Sequence, residues 1–132
     1  MALNVPDVGE AIALEAFVNK TAPQNGVLRL YKNNITPADT DVAATYTEAV
    51  FGGYAAITLT GASWNAYSGG SVTYGAQQTF TCNAVATDDI YGYYVTQLTS
   101  GILMWSERDG AAPFAVRVSG DAVKITPSIG AN

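Results

Sequence analysis

Histidine is absent from this chain. Without an imidazole there is no Ser-His-Asp or Cys-His catalysis, no histidine metal ligand and no common general base near neutral pH. Cysteine occurs once, at Cys82, which excludes an intrachain disulfide and a multi-cysteine metal site. Cys82 lies in QQTFTCNAVA, where it reads as a small apolar side chain buried in a strand. Basic residues number six, scattered from Lys20 to Lys124, and the net charge is −5. Phosphate contacts need clustered Lys and Arg, so no nucleic-acid partner is expected. No apolar run approaches the roughly 20 residues of a membrane span, so no membrane partner is expected either. The opening MALNVPDVGEAIALEAF has no basic start, and Asp7 and Glu10 interrupt its apolar residues. It therefore does not read as a secretory signal, and the chain is expected to be made in a cytoplasm.

Charge of both signs is scarce. Charged residues make up 13% of the chain and hydrophobic ones 48%, whereas an average soluble domain carries about 25% charged residues. A free monomer normally shows many Lys, Glu and Asp to water. The deficit is the first sign that some of this surface is not meant for solvent.

At 132 residues the chain fits one domain, residues 1–132, with a core of real size. Only its beginning looks helical. Pro6 suits a first turn, and Asp7 and Glu10 favour the positive end of a helix. The apolar stripe is Val8, Ala11 and Ile12, continued by Phe17 and Val18, and Asn25-Gly26 signals the turn that follows. Strands are predicted at 27–31, 54–60, 77–82, 90–98, 101–107, 114–118 and 122–126. Thr99-Ser100 joins one hairpin and Ser119-Gly120-Asp121 a second, and residues 36–50 read as a surface loop with a short helical turn. This pattern of short strands and Gly, Pro and Asn punctuation predicts a mainly β fold. It is an antiparallel β-sandwich, jelly-roll-like, with one short N-terminal helix. Residues 1–9 and 127–132 are candidate extended arms.

The remaining chemistry is thin. Gly52-Gly53 and Gly69-Gly70 lack the following Lys-Ser/Thr of a phosphate loop. Asp39 and Asp41, Asp88 and Asp89, and Glu107 and Asp109 are sequence-close carboxylates without calcium-loop spacing, and read as solvated loop residues. No catalytic residue, cofactor or metal site is expected, and the chain does not read as an enzyme. Trp64, Tyr67 and Tyr74 share one long connection, where they serve as packing, as a protein contact, or as platforms for a sugar.

The stretch DIYGYYVTQLTSGILMWSERD, residues 89–109, breaks the alternation of a half-exposed strand. In the first strand Tyr91, Tyr93 and Val95 point one way, and Ile90, Tyr94 and Leu98 the other. In the second, Ile102 and Met104 oppose Leu103 and Trp105. Both faces are apolar, so something must cover the second one: the N-terminal helix or another protein surface. The low charge favours a protein partner, with Tyr91, Tyr93, Met104, Trp105, Trp64 and Tyr67 as its candidate contacts.

Taken in order, NVPDVGEAIALEAFVNK, LRLYKNNITPADTD, YGYYVT, LMWSERD and GDAVKITPSI resemble small virion structural proteins of tailed bacteriophages. The likeness is greatest to capsid decoration, or cement, proteins. The resemblance covers most of the chain and is weakest from Gly61 to Asp88. It implies a small β-rich homo-oligomer, a trimer by preference, that binds the major capsid protein in the virion. A tail or neck component and a carbohydrate-binding host-recognition module are the alternatives.

Overall fold

The computed structural model describes residues 2–130. The chain is mainly antiparallel β, with one α-helix. Its elements run β1 (Ala2–Asn4), α1 (Asp7–Phe17), β2 (Gly26–Tyr31), β3 (Ile57–Leu59), β4 (Ser71–Thr73), β5 (Gln78–Thr81), β6 (Asp89–Ile90), β7 (Gly92–Gln97), β8 (Leu103–Arg108), β9 (Phe114–Ala115), β10 (Ala122–Ile125) and β11 (Ser128–Gly130). Five of them form the central sheet in the order β1-β8-β7-β2-β3. The others pair as two-stranded ribbons, β10 with β5, β11 with β4 and β6 with β9.

The residues of β2 alternate faces, as a strand between two layers must. Leu28 and Leu30 join Tyr93, Val95 and Trp105 in the main core, closed from the far side by Phe80, Cys82, Tyr74 and Val123 of the ribbon layer. Tyr31 turns the other way, into a second cluster with Tyr46, Tyr94 and Leu103. Val8 of α1, Ile35 and Ala43 pack against that cluster. The helix and the 35–46 segment together therefore cover the second apolar face from within the chain.

Between β7 and β8 the register shifts. Val95 stands opposite Trp105 and Thr96 opposite Leu103, leaving Met104 as an extra residue. Such a bulge suspends the two-residue period. Leu103 and Trp105, two apart, therefore enter different clusters instead of sharing a face as strict alternation requires. The backbone at Met104 also seats the helix: a Cβ at Gly9 would collide with the Met104 carbonyl.

Four expectations are corrected. The second hairpin does not form, because β9 pairs with β6 and β10 with β5. Asp121 diverts the donors: its Oδ2 accepts from the backbone N–H of Arg117 at 2.8 Å and of Val118 at 3.1 Å. The 114–118 strand thus ends at Ala115. Neither candidate arm is free within the described residues. Residues 2–4 pair with β8, Pro6 is buried and Asp7 N–H donates to the Asp39 carbonyl, while Ser128–Gly130 pair with β4. Residues 1, 131 and 132 of those arms lie outside the described residues. Finally, Phe17 and Val18 do not continue the buried stripe of the helix; both are exposed.

Candidate interaction surfaces

The structure disperses the six candidate contact residues. Tyr93 and Trp105 are sealed in the main core and cannot meet a partner. Burial, with the Glu107 carboxylate nearby, pushes the Tyr93 phenol up to about 12. Met104 is half-buried at the edge of that core, beneath α1. Tyr91 is half-buried against the tyrosine cluster, with the Arg108 guanidinium 5.2 Å from its ring centre. Trp64 sets its ring at a steep angle to Tyr74, 5.1 Å away, and to Trp105, 6.0 Å away. Tyr67 alone of the six is open surface. The first strand's apolar excess is thus spent on two internal layers.

The sugar platform does not form either. Tyr74 is buried, with its hydroxyl accepting from the Thr60 N–H at 3.1 Å, and Trp64 meets it edge to face. The three rings Trp64, Tyr67 and Tyr74 present no common flat face.

Asp41, Asp88 and Asp89, read as solvated from the sequence, are instead bonded within the fold. Asp88 is buried and takes three donors: Lys32 Nζ at 3.3 Å, Val50 N–H at 2.8 Å and Phe51 N–H at 3.0 Å. Asp89 pairs with Arg117 at 2.6 Å. Asp41 accepts from the Tyr46 hydroxyl at 2.7 Å and from Ala38 N–H at 2.9 Å. Glu48 takes both a forked pair of bonds from Arg29 and the Tyr54 hydroxyl, which itself accepts from Leu30 N–H and so closes the open edge of β2. Among the described residues, no three acidic or Cys side chains stand together as metal ligands. No helix there is long and apolar enough to cross a membrane.

The second layer is a stack of tyrosines. Tyr46 lies flat on Tyr94 at 5.0 Å and edge-on to Tyr31 at 4.9 Å. Burial pushes the phenols of Tyr31 and Tyr94 up to about 12 and those of Tyr46 and Tyr54 higher still. Tyr31, Tyr46 and Tyr94 fill the space between sheet and loop, while Tyr54 packs on Phe51 and Phe80 of the main core.

What faces solvent is a different set of apolar residues, gathered at the two ends of β7. At the Gln97 end, α1 runs toward the β7–β8 turn and exposes Leu14, Phe17 and Val18, with Phe17 87% accessible. Leu98 and Ile102 of the turn are also exposed. Between helix and turn lies a groove of about 530 Å³ lined by Val8, Ala11, Ile12, Ala43 and Leu103. At the Gly92 end, Phe114 pairs with Ile90, Ala86 N–H donates to the Arg117 carbonyl and Val50 N–H donates to Asp88. The exposed Val50, Val85, Phe114 and Val118 thus lie along this ribbon and the loops beside it. The six residues of β7, roughly 20 Å of extended strand, run between the two groups.

These patches were not legible from the β-strand pattern. One signal was present: Leu14 and Phe17 are large apolar residues on the same side of α1 as the charged Glu10.

No protein-family model matches the chain, and none of the curated proteins compared with it matches either.

Proposed function

We propose that this chain is a virion structural protein of a tailed bacteriophage, an oligomeric capsid decoration protein that ties capsomers together. The observation that supports this reading best is the pair of exposed apolar patches at opposite ends of β7. A bridging protein needs two sticky surfaces held apart by something stiff, and contiguous exposed apolar patches mark interaction sites. The order of segments that resembles phage cement proteins supports it as well. Asp41, Glu48, Asp88 and Asp89 are engaged in structural bonds, which suits a passive role: the work is apolar burial repeated over many copies, so that avidity replaces individual affinity. Its partners in this reading are further copies of itself and the major capsid protein, and its place is the assembled particle.

The test is cosedimentation with shells. Shells of the phage whose genome carries this chain, assembled without it, are incubated with the purified protein, pelleted and assayed for bound copies and for resistance to heat. Saturable binding with a rise in the temperature of shell rupture supports the reading. No binding to mature or immature shells overturns it, and labelling confined to the tail by immunogold microscopy moves the protein out of the capsid.

A further inference from the structure

We infer that the cleft between the central sheet and the β4–β11 ribbon takes one large apolar side chain from an uncharged segment of a partner protein, with Gln24 and Asn25 holding the segment's main-chain carbonyls. This deepens the reading above, on which the partner's being the major capsid protein rests.

The cleft has a volume of about 260 Å³. Met104 of β8 walls it on the sheet side, Val72 and Ile129 on the ribbon side, and Trp64 of the β3–β4 connection closes it. All four are half-buried, so each keeps some apolar surface uncovered. Trp64 is braced from behind, its ring set steeply against the buried Tyr74 and Trp105. Met104 and Trp64, both candidate contacts by sequence, thus line one opening.

Size and charge decide what enters. Sites for free small molecules run from about 300 to 1,000 Å³, so this cleft falls short of them and suits a single side chain. No Asp, Glu, Lys or Arg among the described residues lines it. A charged group entering would give up its hydration with no partner in return. A sugar, hydroxylated all round, would do the same against four apolar walls. Met104 adds tolerance, because its thioether rearranges to fit different apolar shapes.

The rim supplies the polar half. Gln24 and Asn25, from the connection between α1 and β2, also line the cleft. Gln24 Oε1 accepts from Thr99 N–H at 3.0 Å, and Asn25 Oδ1 from Gly61 N–H at 3.2 Å. Each amide is fixed by its oxygen, and among the described residues its nitrogen donates to nothing. Two idle donors beside an apolar cleft are complementary to carbonyls next to an apolar side chain. A peptide carries that pair at every apolar residue, and its carbonyls must find donors once they are covered.

NMR spectra of the full chain read this with small probes. N-acetyl-leucinamide and N-acetyl-phenylalaninamide should move the Trp64 indole N–H and Met104 methyl signals saturably, with Kd of about 1–10 mM. The glycine and glutamate analogues of these probes, and methyl glucoside, should leave both signals in place. Val72→Phe, which fills the cleft from the ribbon, should abolish the shifts at an unchanged melting temperature and cut shell binding by about 10-fold or more. Gln24→Ala with Asn25→Ala alters only the rim and should raise the probes' Kd by about 3-fold or more; it carries the test if Val72→Phe does not fold. No shift with either apolar probe, or equal shifts with the glycine analogue or the glucoside, overturns this inference and leaves the proposed function standing. Probe binding with shell binding that neither variant weakens overturns the capsid segment as the occupant. A wild-type chain that takes the probes but no shells overturns the proposed function, and with it the partner named here, while the cleft's preference holds.

Discussion

Gly9 lies against the carbonyl of Met104 so closely that no side chain fits between them. A helix interior ordinarily prefers Ala to Gly by about 1 kcal/mol. Here the neighbour is backbone held in a bulge, and backbone does not step aside. Overpacking costs about 1–3 kcal/mol, so sterics win. Gly9→Ala is expected to destabilise by about 1–2 kcal/mol in urea unfolding; a gain in stability would mean the helix does not sit on the bulge.

Tyr31 and Tyr46 touch edge to face and share one buried layer, yet differ in their hydroxyls. The Tyr31 hydroxyl is buried with no partner, whereas that of Tyr46 bonds Asp41 at 2.7 Å and Ser106 at 2.8 Å. An orphaned buried polar group costs about 1–3 kcal/mol and a charged-group hydrogen bond is worth about as much. Tyr31→Phe should therefore leave the protein as stable or up to about 1 kcal/mol more so. Tyr46→Phe should lose about 1–3 kcal/mol. Denaturation midpoints of the two variants that move together would contradict this contrast.

Alkaline pH should unfold the chain cooperatively. Burial holds Tyr31, Tyr46, Tyr54, Tyr93 and Tyr94 above the ordinary tyrosine value, three of them at about 12. The unfolded chain ionises near 10 and the folded one later, so above 10 the folded state binds more protons. Stability is fully present below pH 10 and falls as pH rises toward 12, by up to about 1.4 kcal/mol per pH unit for each such tyrosine. Absorbance of phenolate and loss of near-ultraviolet dichroism should then rise in one step. Phenolate formation at these rings well before unfolding would show that they are not sealed.

Asp88 is the peg on which two loops hang, holding the N–H groups of Val50 and Phe51 as well as Lys32. Removing it leaves two backbone donors and a cation without a buried acceptor. Asp88→Ala should cost about 2–4 kcal/mol, and Asp88→Asn less, since one oxygen remains to accept. Equal losses for the two substitutions, measured by thermal or urea unfolding, would argue that charge alone matters there.

The strands rich in apolar, β-branched and aromatic residues were legible. Residues 26–31, 78–81, 92–97 and 122–125 are extended near where β-branched and aromatic runs put them, and the 98–102 turn joins the predicted hairpin. Parity was lost at Met104, because an inserted residue leaves no mark in composition. Tyr93 and Trp105 looked like surplus surface because two internal layers demand as much grease as an interface does. The cover for the second layer comes from residues 35–46, a stretch whose polar, small residues suggest an exposed loop although Tyr46 lies buried in it. Conversely Phe17 and Val18 continued a helical stripe by spacing, but the sheet ends before the helix does. Pairings between distant segments, such as β10 with β5, are set by turn chemistry like that of Asp121, which strand periodicity does not encode.

An antiparallel strand cannot stretch appreciably without breaking its ladder. The two apolar poles at either end of β7 are thus held apart by a ladder of fixed length, while the loops and turns that carry Val50, Val85, Leu98 and Ile102 are where any adjustment can occur. A lattice this molecule joins would meet a stiff rod with compliant ends.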